Sequence, residues 1–263
     1  MNKNSKNNKN SKKVSNKESE NKVVRISESK DFAFVESFKA LRTNIMFSLP
    51  LKDGVSCRKI LFTSAGPGEG KSTATVNFAA TLSETETKVL LIDADLRKPT
   101  VHKYFNMESR VGLSNLLSGM NKREECIQKA SNYKNLSVIT SGILPPNPSE
   151  LLSSSAMDKL FEDFEKEYDY IIIDTPPVNV VTDALAIASK VDGVAVVAAF
   201  NRSVIPEVTK AIDALKFAKA NILGIVMNRM VSKKGGYGRK SYNYSYKYKY
   251  KSYSSKESTD SDN

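Results

Sequence analysis

The sequence predicts an α/β fold in which a doubly wound, mostly parallel sheet is flanked by helices. Two observations support this class. From residue 59 onward, short apolar runs alternate with segments of helical spacing, which is typical of a parallel sheet wrapped by helices. At 263 residues the chain is also long enough to bury one sizeable core of this kind.

The elements follow in order along the chain. Phe34, Phe38, Leu41, Ile45 and Phe47 form an approximate helical stripe, which predicts an amphipathic helix over 33–48. Buried strands are predicted at 59–64, 88–93, 135–140, 169–174, 192–199 and 222–228, with helices at 71–84, 149–166, 181–190 and 204–220.

The net charge of +11 belongs to the two ends of the chain. Residues 1–30 carry nine Lys/Arg against three Asp/Glu, and residues 233–263 carry eight against three. Residues 31–232 carry 23 of each, so a charged nucleic-acid-binding face on the body is not expected. We predict a disordered basic tail over 1–30, a folded domain over 31–232 and a disordered tyrosine-rich tail over 233–263.

Residue usage also excludes several classes of protein. Two distant cysteines, Cys57 and Cys126, and one histidine, His102, cannot build a disulfide framework or a Cys/His metal cluster. The polar N-terminus lacks the apolar segment of a signal peptide, and no run approaches the roughly 18 apolar residues of a membrane span. We therefore expect a cytoplasmic protein that needs a partner to work at a membrane.

A glycine-rich segment at residues 64–73 reads SAGPGEGKST and lies between a predicted strand and a predicted helix. Such a P-loop curls so that its backbone N–H groups face phosphate oxygens. We expect Lys71 to contact the β- and γ-phosphates and the Ser72 hydroxyl to bind Mg²⁺. Ala65 replaces the first glycine of the strict pattern, a small change. The predicted nucleotide-binding residues of this loop are Gly66, Gly68, Glu69, Gly70, Lys71, Ser72 and Thr73.

Two acidic motifs follow apolar strands. Residues 90–99 read LLIDADLRKP and place Asp93 and Asp95 two positions apart, on one side of the chain. Residues 170–177 read YIIIDTPP and end a strand at Asp174. Ligands of doubly wound sheets gather at the carboxyl ends of strands, so these carboxylates are predicted to share one phosphate and metal site. A structural role as a loop or helix cap is the alternative for each.

The C-terminal region concentrates seven of the eleven tyrosines within residues 237–253. Only Gly, Ser, Asn, Lys and Arg stand between them, so no core could bury these rings. We interpret them as phosphate acceptors, the alternative being a low-complexity tail with drifted composition. The seven are Tyr237, Tyr242, Tyr244, Tyr246, Tyr248, Tyr250 and Tyr253.

The P-loop, the DxDxR motif, the DTPP motif and the tyrosine cluster together resemble the bacterial tyrosine kinases of capsule and exopolysaccharide synthesis. The segments ESFKALR at 36–42, GILPPNPSELL at 142–152 and GIVMN at 224–228 add to the resemblance. It implies an ATP- and Mg²⁺-dependent protein-tyrosine autokinase that acts on its own C-terminal tyrosines and regulates polysaccharide synthesis and export.

The resemblance also implies roles for particular residues. Lys71, Asp93, Asp95 and Asp174 would be catalytic, and the three aspartates with Ser72 would hold the metal ion. One of the Asp93/Asp95 pair would help to deprotonate the incoming phenol. The last implied contact is between Asn228 and the adenine.

Assembly and partners are implied in the same way. The family phosphorylates in trans within a ring-shaped homo-oligomer that a membrane adaptor of chain-length control activates at the inner face of the plasma membrane. A phosphotyrosine phosphatase and sugar-nucleotide enzymes are further expected partners. The family's E-x-x-R-x-x-R assembly motif reads Glu36, Lys39 and Arg42 here, and lysine keeps the charge but loses the planar fork.

Three other functions remain open at this stage. A switch ATPase of the partitioning or division-site type shares the fold but usually carries an early lysine in K-G-G-x-G-K, where this chain has Gly66 followed by Pro67. A nucleic-acid binder could use the Tyr/Lys tail for stacking, although the neutral body disfavours it. A degenerate kinase with a structural role alone is disfavoured, because Lys71, Asp93, Asp95 and Asp174 are all present.

Overall fold

The computed structural model describes residues 25–29, 31–49 and 57–230. All of the predicted tyrosine-rich tail and most of the predicted N-terminal tail lie outside these residues. The helices are α1 (Phe32–Ser48), α2 (Lys71–Ser83), α3 (Val101–Phe105), α4 (Leu113–Leu117), α5 (Arg123–Cys126), α6 (Pro148–Ser153), α7 (Ser155–Phe164), α8 (Asp183–Ala188) and α9 (Ile205–Phe217). The strands are β1 (Arg58–Ser64), β2 (Val89–Asp93), β3 (Ile127–Lys129), β4 (Leu136–Ile139), β5 (Tyr170–Asp174), β6 (Gly193–Ala199) and β7 (Ile222–Asn228).

Within the described residues, seven strands form one sheet in the order β3-β4-β2-β5-β1-β6-β7. Every neighbouring pair is parallel except β3 and β4, which are antiparallel. In the central strand, Ile60 lies beside Ile172 of β5 on one side and Gly193 of β6 on the other. The doubly wound, mostly parallel fold that the sequence predicts is therefore confirmed.

The sheet is covered by apolar packing on both faces, which explains why its strands are continuous apolar runs. Successive side chains of β1 enter different layers, because a strand alternates its faces. Leu61 packs with residues of α7, α8 and α9, whereas Ile60 and Phe62 pack with residues of α1 and α2. The aromatic rings of Phe62 and of Phe78 in α2 are in contact, with their centroids 5.2 Å apart.

The parallel arrangement brings the polar motifs to one edge of the sheet. Asp93 and Asp174 are register partners across β2 and β5, and Asp174 is also opposite Phe62 of β1. The strand β1 ends two residues beyond Phe62, at Ser64, and the loop to α2 begins there. The carboxyl ends of three adjacent strands thus meet where the sequence places the phosphate-binding loop and both acidic motifs.

The predicted strands and most predicted helices are confirmed, with boundaries shifted by up to three residues. The single helix predicted over 149–166 is wrong, because Ser154 is extended (φ −65°, ψ 160°) and separates α6 from α7. Ser154 lies within a run of three serines, and such side chains compete for backbone hydrogen bonds. Its hydroxyl donates to the Leu151 carbonyl. The short helices α3, α4 and α5 and the strand β3 were not predicted.

Helix α1 begins at its N-cap Asp31, whose carboxylate accepts the Ala33 N–H at 3.0 Å. Its predicted apolar stripe is correct for Phe38 and Ile45, which are buried, but wrong for Phe47, which is 81% exposed. At roughly 100° per residue, Phe47 lies on the opposite side of the helix from Phe38. The buried face of α1 is therefore narrower than predicted.

Two further findings concern the N-terminal region and the cysteines. Ile26 lies in a short 3₁₀ turn, is buried, and donates its N–H to Asn77 of α2 at 2.7 Å. These described residues, 25–29, belong to the folded body and not to the predicted tail. Cys57 and Cys126 are buried thiols, and burial raises the pKa of Cys57 to about 12. Among the helices of the described residues, none combines the length and apolarity needed to cross a membrane.

Candidate active site

The P-loop connects β1 to α2 and uses two glycines with left-handed backbone conformations. Gly68 has φ 74° and Gly70 has φ 87°, values that side chains disfavour. A Cβ on Gly70 would also lie 1.8 Å from Nδ2 of Asn228. Ala65, where the strict pattern has glycine, is buried and does not adopt a positive φ, so its methyl group fits without backbone strain.

Lys71 lies at the start of α2 and faces the carboxylates. Its Nζ is 2.8 Å from Oδ1 of Asp174 and 3.7 Å from Oδ2 of Asp95. The Ser72 hydroxyl donates to the second oxygen of Asp174 at 2.6 Å. One buried carboxylate from β5 therefore fixes both the cation and the hydroxyl of the P-loop.

The two aspartates of the DxDxR motif have different environments. The Asp93 carboxylate accepts backbone N–H groups of Asp95, Thr100 and Val101 at 3.0–3.2 Å, so it holds the loop that follows β2. Burial, followed by repulsion from Asp174, raises the pKa of Asp93 to about 7. We expected the alternation of side chains along a strand to aim both carboxylates into one site. Because β2 ends at Asp93, this alternation does not determine the direction of the Asp95 side chain.

Asp95 faces the lysine. Its Oδ1 accepts the Lys98 N–H at 3.0 Å, and its Oδ2 is the oxygen nearest Lys71. Burial is the main cause that raises the pKa of this carboxyl, and Lys71 acts against it. A carboxylate with a raised pKa and one oxygen turned toward the site is suited to accept a proton.

The P-loop is supported from the β6 and β7 side. The Glu69 carboxylate accepts the Gly66 N–H at 2.9 Å and the Ser203 hydroxyl. The Asn228 amide donates to the carbonyls of Glu69 and Gly70, at 3.1 and 3.4 Å. Glu69 and Asn228, predicted as nucleotide contacts, therefore both stabilise the shape of the loop.

The relatives of the chain fit this site. The chain is 43% identical to the tyrosine-protein kinase YwqD of Bacillus subtilis over 204 residues, which cover 77% of this chain and 84% of that protein. It is 38% identical to the tyrosine-protein kinase CpsD of Streptococcus agalactiae over 204 residues, covering 77% and 86%. The chain belongs to the bacterial tyrosine-protein kinases.

Two wider comparisons agree with this family. A family model described as "ParA: NUBPL iron-transfer P-loop NTPase" matches residues 56–259, so the kinase is built on a P-loop NTPase domain. The crystal structure of the chimerical protein CapA2B2 is similar with a TM-score of 0.73 and 37% sequence identity, covering 79% of this chain and 89% of that one.

The site of this tyrosine kinase fits a magnesium-bound nucleotide. Among the described residues, apart from its two chain neighbours, no atom lies within 4 Å of a Cβ built on Gly66, so the space beside this glycine is open. The Ser72 hydroxyl and the Asp174 carboxylate are hard oxygen ligands of the kind Mg²⁺ prefers. In the described part of the chain, no group of three or more His, Cys, Asp or Glu could hold a metal ion by itself.

Three contacts of the site were missed in the sequence. The Thr75 hydroxyl donates to Oδ1 of Asp174 at 3.0 Å, and its spacing of four from Lys71 on a helix was a usable signal. The hydroxyls of Thr73 and Tyr104 are 2.6 Å apart. Burial raises the pKa of the Tyr104 phenol, so it stays protonated. Nothing in the sequence pairs Tyr104 with the P-loop.

The third missed contact is an ion pair beside the acidic motif. Arg97 donates from Nε and Nη2 to the two oxygens of Asp183, at 2.8 and 3.0 Å. Asp183 is fully buried at the start of α8 and also accepts the Ser149 hydroxyl. It therefore joins the loop after β2, the first turn of α6 and the N-terminus of α8.

The structure brings the predicted P-loop residues and all three predicted aspartates to one place. The predicted assembly residues lie apart from it, on α1. Lys39 forms an i,i+3 ion pair with Glu36 at 2.8 Å, and Arg42 donates to the Thr81 carbonyl of α2 at 2.8 Å. The predicted acceptor tyrosines at 237–253 lie outside the described residues.

Proposed function

We propose that this kinase transfers the γ-phosphoryl group of ATP to tyrosine hydroxyls of its own C-terminal cluster, in trans, with Mg²⁺. The observation that supports the site is the network in which Asp174 holds both Lys71 and Ser72 beside the open space above Gly66. Phosphoryl transfer needs mainly positioning and charge neutralisation, and these groups supply both.

Each group of the network has a defined task in this proposal. Bound Mg²⁺·ATP supplies the phosphoryl group and a neutralising divalent charge. Lys71 would bind the phosphates, and Ser72 and Asp174 would hold the metal ion. Asp95 orients the acceptor phenol through Oδ2, the oxygen nearest Lys71. It takes the phenol proton as the bond from the phenol oxygen to the γ-phosphorus forms and the bond from that phosphorus to the bridging oxygen breaks. ADP is the leaving group, and the protonated carboxyl then returns its proton to water. Asp93 stays in its ring of backbone N–H groups and fixes the loop that carries Asp95.

The charge of the tail supplies a regulatory consequence. Residues 233–263 carry a net +5, and each phosphate adds about −1.5 to −2 at pH 7. Modification of three or four tyrosines thus cancels or inverts the charge of the tail. Contacts made through its basic residues would weaken, which is a means of releasing a neighbouring subunit or an acidic partner.

We place this chemistry at the inner face of the membrane, with a membrane adaptor as activator and capsular or extracellular polysaccharide synthesis and export as the regulated process. The similar solved structure is a chimerical protein, CapA2B2, which is consistent with a kinase that works joined to a second polypeptide. A phosphotyrosine phosphatase would reverse the modification, and sugar-nucleotide enzymes would be further substrates. Helix α1, with Glu36, Lys39 and Arg42, is our candidate for the contact between subunits of a ring.

The proposal is tested on purified protein incubated with ATP and Mg²⁺, with and without membranes of its host. Lys71→Met and Asp95→Asn each abolish phosphotyrosine, whereas Lys210→Met, at an exposed position of α9, leaves it unchanged. Deletion of 237–253 abolishes autophosphorylation and preserves nucleotide binding. Phosphotyrosine that persists in the deleted protein, read by mass spectrometry, would show that the acceptors lie elsewhere.

Mixing two variants tests transfer in trans. The Lys71→Met protein retains its tyrosines but cannot transfer phosphate, and the tail-deleted protein can transfer but has no acceptors. Phosphotyrosine on the Lys71→Met chain after mixing is the expected result. Its absence, with an active wild type, would indicate transfer within one chain.

A switch ATPase is the alternative function. It shares the Walker motifs, and Gly66 with Pro67 stands where such proteins usually have a lysine and a glycine. The two functions are separated by one assay, since an ATPase releases inorganic phosphate while every tyrosine remains unmodified.

A further inference from the structure

The turn that follows β6 places an arginine over the P-loop. A Cβ built on Gly68 would lie 2.8 Å from Nη2 of Arg202 and 3.2 Å from its Cζ, so the guanidinium rests directly on this glycine. The absence of a side chain at Gly68 is what allows this approach. Arg202 is 131 positions after Lys71, and no sequence motif connects the two.

The turn is fastened to the loop by its next residue. Ser203 accepts the Ala199 N–H at 2.8 Å and donates its hydroxyl to the Glu69 carboxylate. The other Glu69 oxygen accepts the Gly66 N–H. Asn201, with φ 56°, supplies the left-handed residue of the turn, a conformation that asparagine tolerates. The backbone position of the turn that carries Arg202 is therefore set relative to the P-loop by these hydrogen bonds of Ser203.

The guanidinium lacks an internal anion. Within residues 25–29, 31–49 and 57–230, no carboxylate pairs with Arg202 and no hydrogen bond from its side chain is present. Arg97 and Arg123, by contrast, are each held by a carboxylate at 2.6–3.0 Å. Arg202 is exposed and keeps all of its donors available.

Its surroundings include positive groups that also favour a bound anion. The P-loop leads into the N-terminus of α2, a 13-residue helix whose first N–H groups give a positive potential, and Lys71 adds a full charge. A phosphate chain bound in the loop would give the guanidinium an anion to contact. Its planar fork matches phosphate oxygens in two parallel hydrogen bonds.

We propose that Arg202 contacts the phosphate chain of the bound nucleotide, as a second cation supplied from the β6 side of the P-loop. This inference rests on the proposed function, in which the P-loop binds ATP. It assigns the chain a nucleotide-binding residue outside the P-loop and both acidic motifs. Gly68 is then required for a second reason, since a side chain there would push the guanidinium away.

Calorimetric titration with ATP and with ADP, in the presence of Mg²⁺, tests the proposal. Arg202→Met keeps much of the length but removes the charge, and Arg202→Lys keeps the charge without the fork. We expect Arg202→Met to bind both nucleotides about tenfold more weakly than the wild type, the loss of a charged hydrogen bond. Arg202→Lys should bind at least threefold more tightly than Arg202→Met. Lys210→Met, which removes one exposed charge on α9, is the matched control and should bind like the wild type.

The outcomes are distinct. Wild-type affinity in Arg202→Met, within twofold, would overturn the proposal, and so would equal affinities of the Met and Lys variants. Failure of the wild type to bind ATP would refute the proposed function instead. Because position 202 is exposed, the variants should fold, which thermal unfolding without nucleotide verifies.

Discussion

Helices α1 and α2 lie next to each other but differ in how much of their surface is buried. All residues of α2 except Ser72 and Thr73 are buried, including the polar residues Lys71, Thr75 and Asn77. In the 17-residue α1, only Phe38 and Ile45 are buried. The residues of the candidate site are therefore fixed by the core, whereas the proposed assembly residues lie half-buried on a mostly exposed helix, from which Arg42 donates to the Thr81 carbonyl of α2.

This difference leads to separate expectations for the two helices. Changes around α2 should alter chemistry and stability together, because its polar groups are buried and mutually hydrogen-bonded. Changes on the outer face of α1 should leave the folded kinase almost unaffected and act on association alone. Four predictions, in order of decreasing effect, test this contrast.

The largest effect is expected from Asp174→Asn. The substitution removes the charge that holds Lys71 and Ser72, so phosphotyrosine formation should fall at least about 100-fold. Initial rates with ATP and Mg²⁺ measure this loss, and cooperative urea unfolding verifies the fold. Asp213→Asn, at an exposed position of α9, is the control for loss of one carboxylate. Activity within tenfold of the wild type would show that Asp174 is not the metal and lysine anchor.

The second effect is a pH dependence of stability without nucleotide or Mg²⁺. The pKa of Asp93 is raised from 3.8 to about 7, so between these values the folded chain holds a proton that the unfolded chain has released. This contribution is present below the unfolded pKa and is lost as pH rises through about 7, with a slope of at most about 1.4 kcal/mol per pH unit. Asp93→Asn, which does not titrate, should have a flatter profile in urea unfolding from pH 5 to 8. Parallel profiles for the two proteins would contradict the raised pKa.

The third effect concerns the hydroxyl pair between α2 and α3. Tyr104→Phe removes the bond to Thr73 and should lower the free energy of unfolding by about 1 kcal/mol. Tyr133→Phe is a matched control, because Tyr133 is equally buried and its hydroxyl has no hydrogen bond within the described residues. Equal losses in the two variants, measured by urea titration, would mean that the Thr73 contact contributes nothing.

The smallest effect is expected on α1. Phe47→Ala should change the free energy of unfolding by no more than about 0.5 kcal/mol, because the ring is 81% exposed. Phe38→Ala, on the buried face of the same helix, should cost about 3–5 kcal/mol. Chemical unfolding of both variants compares the faces directly, and sedimentation of Phe47→Ala reports whether the outer face contributes to association. A large loss of stability in Phe47→Ala would remove the contrast between the two helices.

The sequence predicted the sheet well for a physical reason. Strands buried on both faces must be apolar throughout, so runs such as GVAVVAA at 193–199 are visible without any tertiary information. The helix break at Ser154 was missed because it depends on the backbone angles of one residue. The exposure of Phe47 was missed because an approximate apolar stripe does not follow the exact angle of each residue around the helix. Strand β3 has only three residues and is defined by its antiparallel pairing with β4, so no local sequence pattern identifies it.

The candidate site was predictable where motifs carry it. The P-loop and the strand-ending aspartates follow from residue order alone, since parallel strands bring their carboxyl ends together. The contacts of Tyr104 with Thr73, of Asp183 with Arg97 and of Arg202 with Gly68 join residues that are 31 to 134 positions apart in the sequence. Only the packing of the folded chain creates these contacts. From the sequence, Asp93 and Asp95 were assigned to one shared site, whereas their hydrogen bonds distinguish a loop anchor from a side chain that faces Lys71.

The amide of Asn228 has a practical consequence for anyone who builds versions of this protein. This residue ends β7, and its side chain is bonded to the carbonyls of Glu69 and Gly70. A fluorescent protein or purification tag fused immediately after β7 would displace the Asn228 amide and disturb the P-loop that it bonds. Reporters attached there should serve as sensors of the loop's state, and handles meant to be silent belong at the opposite end of the chain.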